Sequence, residues 1–364
     1  MNLIDLLTSP ITALPNAGSS DDFSKFYKQF TDQYFDLLGT VSPVGNIDKA
    51  FLDNKDASLD IRNSIHEALE LYLSGRPSAA YLRLKETVVK HEQIFKNVVA
   101  EPRTEKLNKN LFRIRESKGE KLTKDDLFHI PFRLRRKVSS QRYSIPGFPS
   151  LYLSSSIYTA WKELSSPDLD SVVVVRVELT QKVKVLDLGH PPQFLAPIIS
   201  QFNSSLQLSG MLFDLLTAKL ILWPLQAACS VMVYDRNSPF KPEYIIPQLI
   251  LQLLRDDAFG TDIQGIRYFS MNYGQSKHSL DLGTNYVFPV KDTFIDGHCE
   301  MLKELTLLTE PLPWSVANLM TDGVEVLHVK DDVVELSPGF IVPYKSTKFA
   351  QVESMLISQV AAKL

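Results

Sequence analysis

The sequence predicts an α+β protein, with a helical N-terminal domain over residues 1–105 followed by a mixed β-sheet domain over 106–364 whose core spans about 111–290. Three observations carry this. Between Asp21 and about Lys96, apolar residues recur at spacings of three and four. After Leu111, short β-branched runs appear, the strongest being SVVVVRVEL from Ser171 to Leu179. Strands and helices then mix without the regular βαβ alternation of a doubly wound sheet.

Residues 1–20, broken by prolines, read as a loose leader. Phe23, Tyr27 and Phe30, then Tyr34, Leu37 and Leu38, mark a first helix. Ile61, Ile65, Ala68, Leu69 and Tyr72 mark another. Ser74-Gly75-Arg76-Pro77 ends it and opens a partner carrying Ala80, Leu84, Val88 and Phe95, with Pro77 suited to a first helical turn. Glu101 to Asn110 is polar and reads as a linker. Leu111 to Arg115 alternates like an edge strand. Further strands are expected at Ser150–Leu153, Ser171–Leu179, Val183–Leu186, Ala227–Tyr234, Gly265–Ser270, Tyr286–Val290, Val324–Val329 and Gly339–Val342. Helices are expected at 192–222, at Tyr244–Arg255 and from about Lys348.

Composition narrows the function classes. The chain has 364 residues, 44% of them apolar and 22% charged, so a sizeable core is available. The 39 basic residues nearly balance 42 acidic ones, which argues against a dedicated nucleic-acid binder. Two distant cysteines, Cys229 and Cys299, give neither a disulfide framework nor metal-ligand spacing, and a reducing, cytoplasmic setting is expected. The N-terminus lacks a basic n-region, so no signal peptide is read, and no apolar run reaches the ~20 residues of a membrane span. Walker and Rossmann glycine loops are absent, as is a metal-binding histidine pattern.

The chemistry-bearing candidates cluster between Gln141 and Leu164 and again between Gly265 and Val290. Ile157, Ala160, Trp161 and Leu164 share one helical face, and Glu163 falls on its flank, where a carboxylate can look into a cleft. Ser154, Ser155 and Ser156 can cap that helix. A solvated glutamate on an amphipathic helix satisfies the same pattern. Arg142, beside Tyr143 and the Pro146-Gly147 turn, suits phosphate or ring contacts, although a surface arginine fits equally. Arg133, Arg135, Arg136 and Lys137 could steer an anion or form a solvated face. Ser270 closes a strand before Asn272 and Gly274, a strand-end position where sites collect and where hairpin tips are also polar. No nucleophile elbow surrounds Ser270. His129 reads as a base or as a structural histidine.

Taken in order, these residues resemble the RES domain, a family named for its arginine, glutamate and serine. Phe112-Arg113 is similar to its opening strand, and Gln141-Arg142-Tyr143-Ser144-Ile145-Pro146-Gly147 to its Gly-Arg-Trp-x-x-x-Gly turn. Leu151-Tyr152-Leu153, Ala160-Trp161-Lys162-Glu163 and Gln264-Gly265-Ile266-Arg267-Tyr268-Phe269-Ser270 follow in the family's order. Gln141 and Tyr143 depart from the turn pattern, and Arg115 competes with Arg113. The resemblance covers roughly residues 111–290 and implies an ADP-ribosyltransferase-like fold acting on NAD as substrate, with no bound cofactor and no metal.

It further implies that Arg113 and Arg142 hold the pyrophosphate, that Tyr143 and Tyr152 pack against the nicotinamide or its ribose, and that Ser270 and Glu163 hold that ribose. The expected activity is cleavage of the nicotinamide–ribose bond by a toxin or defence enzyme, as a glycohydrolase or phosphorylase. Protein ADP-ribosylation and a non-catalytic NAD-sensing module are the alternatives. The N-terminal helices would then serve a neutralising protein antitoxin or other regulatory partner, with no role in nucleic-acid or membrane binding.

Overall fold

In a computed structural model the chain adopts an α+β fold whose residues divide between two units, each assembled from three stretches of sequence. One comprises Met1–Val99, Ser140–Ile145 and Leu186–Ile263; the other comprises Ala100–Ser139, Pro146–Val185 and Gln264–Leu364. The structure describes all residues except 19–21, 103–109, 181–182, 204–209, 261, 273–281, 293–295, 322 and 327–331. The expected division near residue 105 therefore marks only the first of several crossings. The helical unit recruits residues 186–263, whose apolar helices need the same core as the N-terminal ones.

The first unit is mainly helical. Asp22 caps Phe23–Leu38 by accepting the Lys25 N–H, and the helix buries Phe23, Tyr27, Phe30, Tyr34 and Leu38 along one stripe. Tyr34 stacks on Trp223 with ring centroids 3.8 Å apart. Lys55–Leu73 and Pro77–Lys90 form the expected helical hairpin. Its turn closes where the Arg76 N–H reaches Leu71 O and Gly75 takes a φ of 81°, a left-handed geometry that glycine adopts without strain. The expected loose leader is instead ordered in part. Leu3–Leu7 is a short helix held by a capping box between Asn2 and Asp5, and it buries Leu3, Leu6 and Leu7.

The stretch 192–222 forms helices Pro192–Asn203 and Gly210–Ile221. The strand expected from Ala227 to Tyr234 is not formed. Pro224 opens a buried helix, Trp223–Cys229, and only Val231–Met232 pairs as a strand, parallel to Asn16–Ala17. No single helix among the described residues is long and apolar enough to cross a membrane. The pair Gly210–Ile221 and Trp223–Cys229 reaches that length only across a 56° bend.

The second unit is built on strands β1 (Asn110–Glu116), β2 (Ser150–Ser154), β3 (Val172–Leu179), β4 (Gly265–Phe269) and β5 (Thr284–Pro289). Between β2 and β3 lies helix α1 (Ile157–Glu163). After β5 come α2 (Glu300–Leu305), β6 (Thr306–Leu308), β7 (Leu312–Pro313), α3 (Trp314–Met320), β8 (Val333–Ser337), β9 (Phe340–Pro343) and α4 (Lys348–Ser358). The strands lie in the order β6-β3-β1-β2-β5-β4, and each of these neighbouring pairs runs antiparallel. β8 and β9 form a separate hairpin.

Leu111 to Arg115 is thus an interior strand rather than an edge. The adjacent Leu111 and Phe112 are both buried because both faces of β1 are covered. The strand expected at Val183–Leu186 lies at Val185–Leu188. Of the segment expected as a strand at Val324–Val329, residues 324–326 are irregular and the remainder lies outside the described residues, as does most of the expected linker at 101–110.

Alternation along the strands sorts the side chains into two faces. Leu111, Leu151, Leu153, Val173, Val175, Tyr286 and Phe288 share one core. Phe112, Ile114, Val172 and Val174 share the other, with Ile157, Tyr158 and Ala160 of α1 packed against them.

Candidate active site

Helix α1 ends on the residue that matters most. Ser156 starts it by accepting the Thr159 N–H at 3.0 Å, and burial of Ile157, Tyr158 and Ala160 fixes its rotation. Its C-terminus is closed by Ser165 and Ser166, with φ values of 64° and 56°, and by the Ser166 N–H reaching Trp161 O. Serine in this left-handed geometry is strained relative to glycine. The far side of the site comes from β4 and β5. Ser155 Oγ and Thr159 Oγ1 donate to Leu282 O at 2.8 and 2.5 Å, tying the start of β5 to the start of α1. The Ser270 N–H donates to Gly283 O at 2.7 Å, which fixes the end of β4 against the same segment.

These ties bring four side chains together around Glu163. Its Oε1 accepts from Ser270 Oγ at 2.5 Å and from Asn285 Nδ2 at 2.7 Å, and its Oε2 accepts from Asn272 Nδ2 at 3.0 Å. Ser154 Oγ in turn donates to Asn285 Oδ1 at 2.6 Å, which sets the direction of that amide. Glu163 is solvent-exposed, while Ser270 and Asn285 are buried beneath it. Among the described residues it forms no ion pair. Among the described residues, three neutral donors fix the carboxylate and none of them cancels its charge. A carboxylate accepts about four hydrogen bonds, so Oε2 keeps room for one more donor, such as a sugar hydroxyl. Tyr152 and Tyr268, both half-buried, share the Asn285 face of the sheet, since Tyr152 lies two residues from Ser154 and Tyr268 pairs with Asn285.

Glu163 and Ser270 are thus brought together, with Tyr152 on the same face. Within this unit, the expected Arg113 is not brought to them. Arg113 alternates with Phe112 and shares the side of Leu111, the sheet face opposite α1. There Nη1 donates to Tyr152 O at 3.0 Å, and burial, with the Arg115 charge adding, pulls its pKa down to about 10. A one-residue change of parity along β1 would be needed to bring it to Glu163.

Arg142 and Tyr143 belong to the helical unit. The Arg142 guanidinium donates to Cys229 O at 3.0 Å and Val231 O at 2.9 Å and lies 5.2 Å from the centre of the Tyr244 ring. Tyr143 is buried, and its hydrogen bond to Cys229 opposes the burial that pushes that thiol up to about 12. These contacts explain both residues as packing elements of that unit.

The basic run Arg133, Arg135, Arg136 and Lys137 lies exposed on a short 3₁₀ helix, with Arg133 3.7 Å from Asp296. His129 is buried: Nδ1–H donates to Ile130 O and Nε2 accepts the Cys299 N–H, both at 2.9 Å, the arrangement of a structural histidine. Gly274 lies outside the described residues. Asn285 was missed in the sequence, although a lone amide among Tyr286, Val287 and Phe288 is the signal that could have found it.

No family model matches the sequence. No solved structure matches it either. A protein of Bacillus subtilis (strain 168) described as "Putative toxin YopC" is 30% identical over 346 residues, covering 93% of this chain and 76% of that protein. An alignment of that extent takes in both units, and the chain belongs to the family of that Bacillus subtilis protein.

Proposed function

We propose that the chain is a toxin that consumes NAD by breaking the bond between nicotinamide and ribose, as a glycohydrolase or phosphorylase. The observation that carries this reading is the Glu163 carboxylate, oriented by Ser270, Asn285 and Asn272 and without an ion-pair partner among the described residues. The order of motifs resembling the RES domain and the toxin description of the relative support it.

The proposed chemistry needs little else. The nicotinamide ring of NAD is positively charged, so when the glycosidic bond breaks, the electron pair leaves with the ring nitrogen and nicotinamide departs neutral. No general acid is required. Positive charge develops on the sugar, and Glu163 faces it while Oε2 accepts a ribose hydroxyl. Rate enhancement comes from holding the ribose in place and from a preorganised negative charge. Tyr152 and Tyr268 offer ring surface on the same face. Arg113 and Arg142, occupied as described, have no part in this proposal.

The test is incubation of purified protein with NAD, with and without phosphate, followed by chromatography and mass spectrometry. Nicotinamide should appear with ADP-ribose if water is the acceptor, or with a phosphorylated ADP-ribose if phosphate is. In cells, expression should arrest growth and Glu163→Gln should relieve it. Intact NAD after prolonged incubation, or equal toxicity of the variant, overturns the proposal.

A further inference from the structure

We infer that the C-terminal segment acts on this site through Glu353 and Tyr344, with Glu353 as a positioning residue for the helix that carries Glu163. The inference rests on the reading of Glu163 given above.

Helix α1 has only seven residues, too few to hold a direction unaided. Of its orphan first-turn N–H groups, that of Thr159 is served locally by Ser156. That of Ile157 is served by Glu353 Oε1 at 2.7 Å, from α4, 196 positions along the chain. Glu353 is 5% exposed. The Tyr344 hydroxyl donates to the same Oε1 and so aims it at the helix end. A buried carboxylate there also meets the positive end of the helix.

Two further contacts grip the same helix. The Tyr158 hydroxyl donates to Glu335 O in β8 at 2.6 Å. The Phe349 ring of α4 lies 5.6 Å from Tyr158 and 5.5 Å from Trp161, centre to centre. Residues 335–353 thus hold α1 at its N-terminus and along the side that carries Tyr158 and Trp161.

Geometry makes this hold consequential. Glu163 is the last residue of α1 and Ile157 the first, so the lever between them is roughly 9 Å. A tilt of about 6° at the Ile157 end moves the carboxylate by about 1 Å relative to Ser270 and Asn285, which are fixed to the sheet. A displacement of that size can cost on the order of 100-fold in rate.

The experiment compares Glu353→Ala, Glu353→Gln and Tyr344→Phe with the parent. Nicotinamide release from NAD is read as kcat and KM, and amide hydrogen exchange is read over residues 157–164 against β3. Glu353→Ala is expected to lower kcat about 10- to 100-fold with KM within about twofold. Exchange should speed up in α1 and stay unchanged in β3. Glu353→Gln keeps an oxygen that accepts from both Ile157 N–H and Tyr344, so its kcat should stay within about threefold of the parent.

Parental kcat in Glu353→Ala, a kcat loss without faster α1 exchange, or a glutamine variant as damaged as the alanine one overturns the inference. If Glu353→Ala does not fold, Tyr344→Phe, which removes one hydroxyl, carries the same comparison. A parent that releases no nicotinamide sinks the proposed function alone. The exchange arm then still decides: acceleration confined to 157–164 upholds the clamp, and acceleration throughout the unit or nowhere overturns it.

Discussion

Replacing Glu163 by glutamine separates the charge of this side chain from its shape. The amide oxygen can occupy the Oε1 position and keep the bonds from Ser270 Oγ and Asn285 Nδ2. The new NH2 then faces Asn272, whose amide can turn to present its own oxygen. The folded network survives, and the melting temperature should move by no more than about 3 °C. What disappears is one negative charge opposite a sugar that becomes cationic. Two unit charges about 4 Å apart interact by roughly 1 kcal/mol in bulk water and roughly 4 kcal/mol at an effective dielectric of about 20. Glu163 is exposed in the free protein but would be shielded by bound NAD, which puts the loss between those limits. A 100-fold fall in kcat, about 2.7 kcal/mol, is the expected result. The assay is the initial rate of nicotinamide release by parent and variant at saturating NAD. A variant retaining more than about a third of parental kcat would refute the electrostatic argument, because its shape is unchanged.

Asn285→Asp replaces a donor 2.7 Å from Glu163 Oε1 with a like charge; kcat/KM at neutral pH should fall, and the acid limb of its pH profile should move upward by about one to two units as the carboxylate pair shares a proton. An unshifted profile would count against that contact. Ser165→Gly relieves a left-handed residue at the end of α1 and should raise stability by about 0.5–1 kcal/mol in denaturant titrations, with activity unchanged. Burial holds the His129 pKa down at about 4, so between roughly pH 6.5 and 4 the unfolded chain binds a proton that the folded chain does not. Stability therefore rises with pH across that window and is lost on acidification, by up to about 3 kcal/mol from this group. His129→Gln should flatten the dependence of the denaturation midpoint on pH, and an unchanged slope would place the acid sensitivity elsewhere.

Much of the fold was legible where one physical signal dominated. Phe23, Tyr27, Phe30 and Tyr34 repeat at helical spacing and form the buried stripe they imply. The β-branched run Val172–Leu179 is a buried strand. Legibility failed where tertiary context decides. Ala227–Cys229 is apolar enough for a strand, yet Trp223-Pro224 starts a helix that runs through it. Which face of β1 lies under α1 could not be read from the alternation of the strand alone. Arg113 follows an aromatic residue as the resemblance requires, but Phe112 and Ile114 pack under α1 and so turn Arg113 to the opposite face. Glu163 and Ser270 lie 107 positions apart, and no local pattern joins them; their pairing came from motif order. The amides of Asn272 and Asn285 complete the cluster through a strand register that only folding sets.

The interleaving of the two units has a consequence for how such a protein is made. A ribosome delivers Glu163 before the midpoint of the chain, but Ser270, Asn272 and Asn285 emerge only with the last stretch of the second unit, and Glu353 later still. During translation the carboxylate has none of these partners, so the cluster cannot assemble until Asn285 has been made. Every fragment ending before the fourth strand lacks all three donors to Glu163, so on the proposed function truncated products and stalled chains would carry no activity.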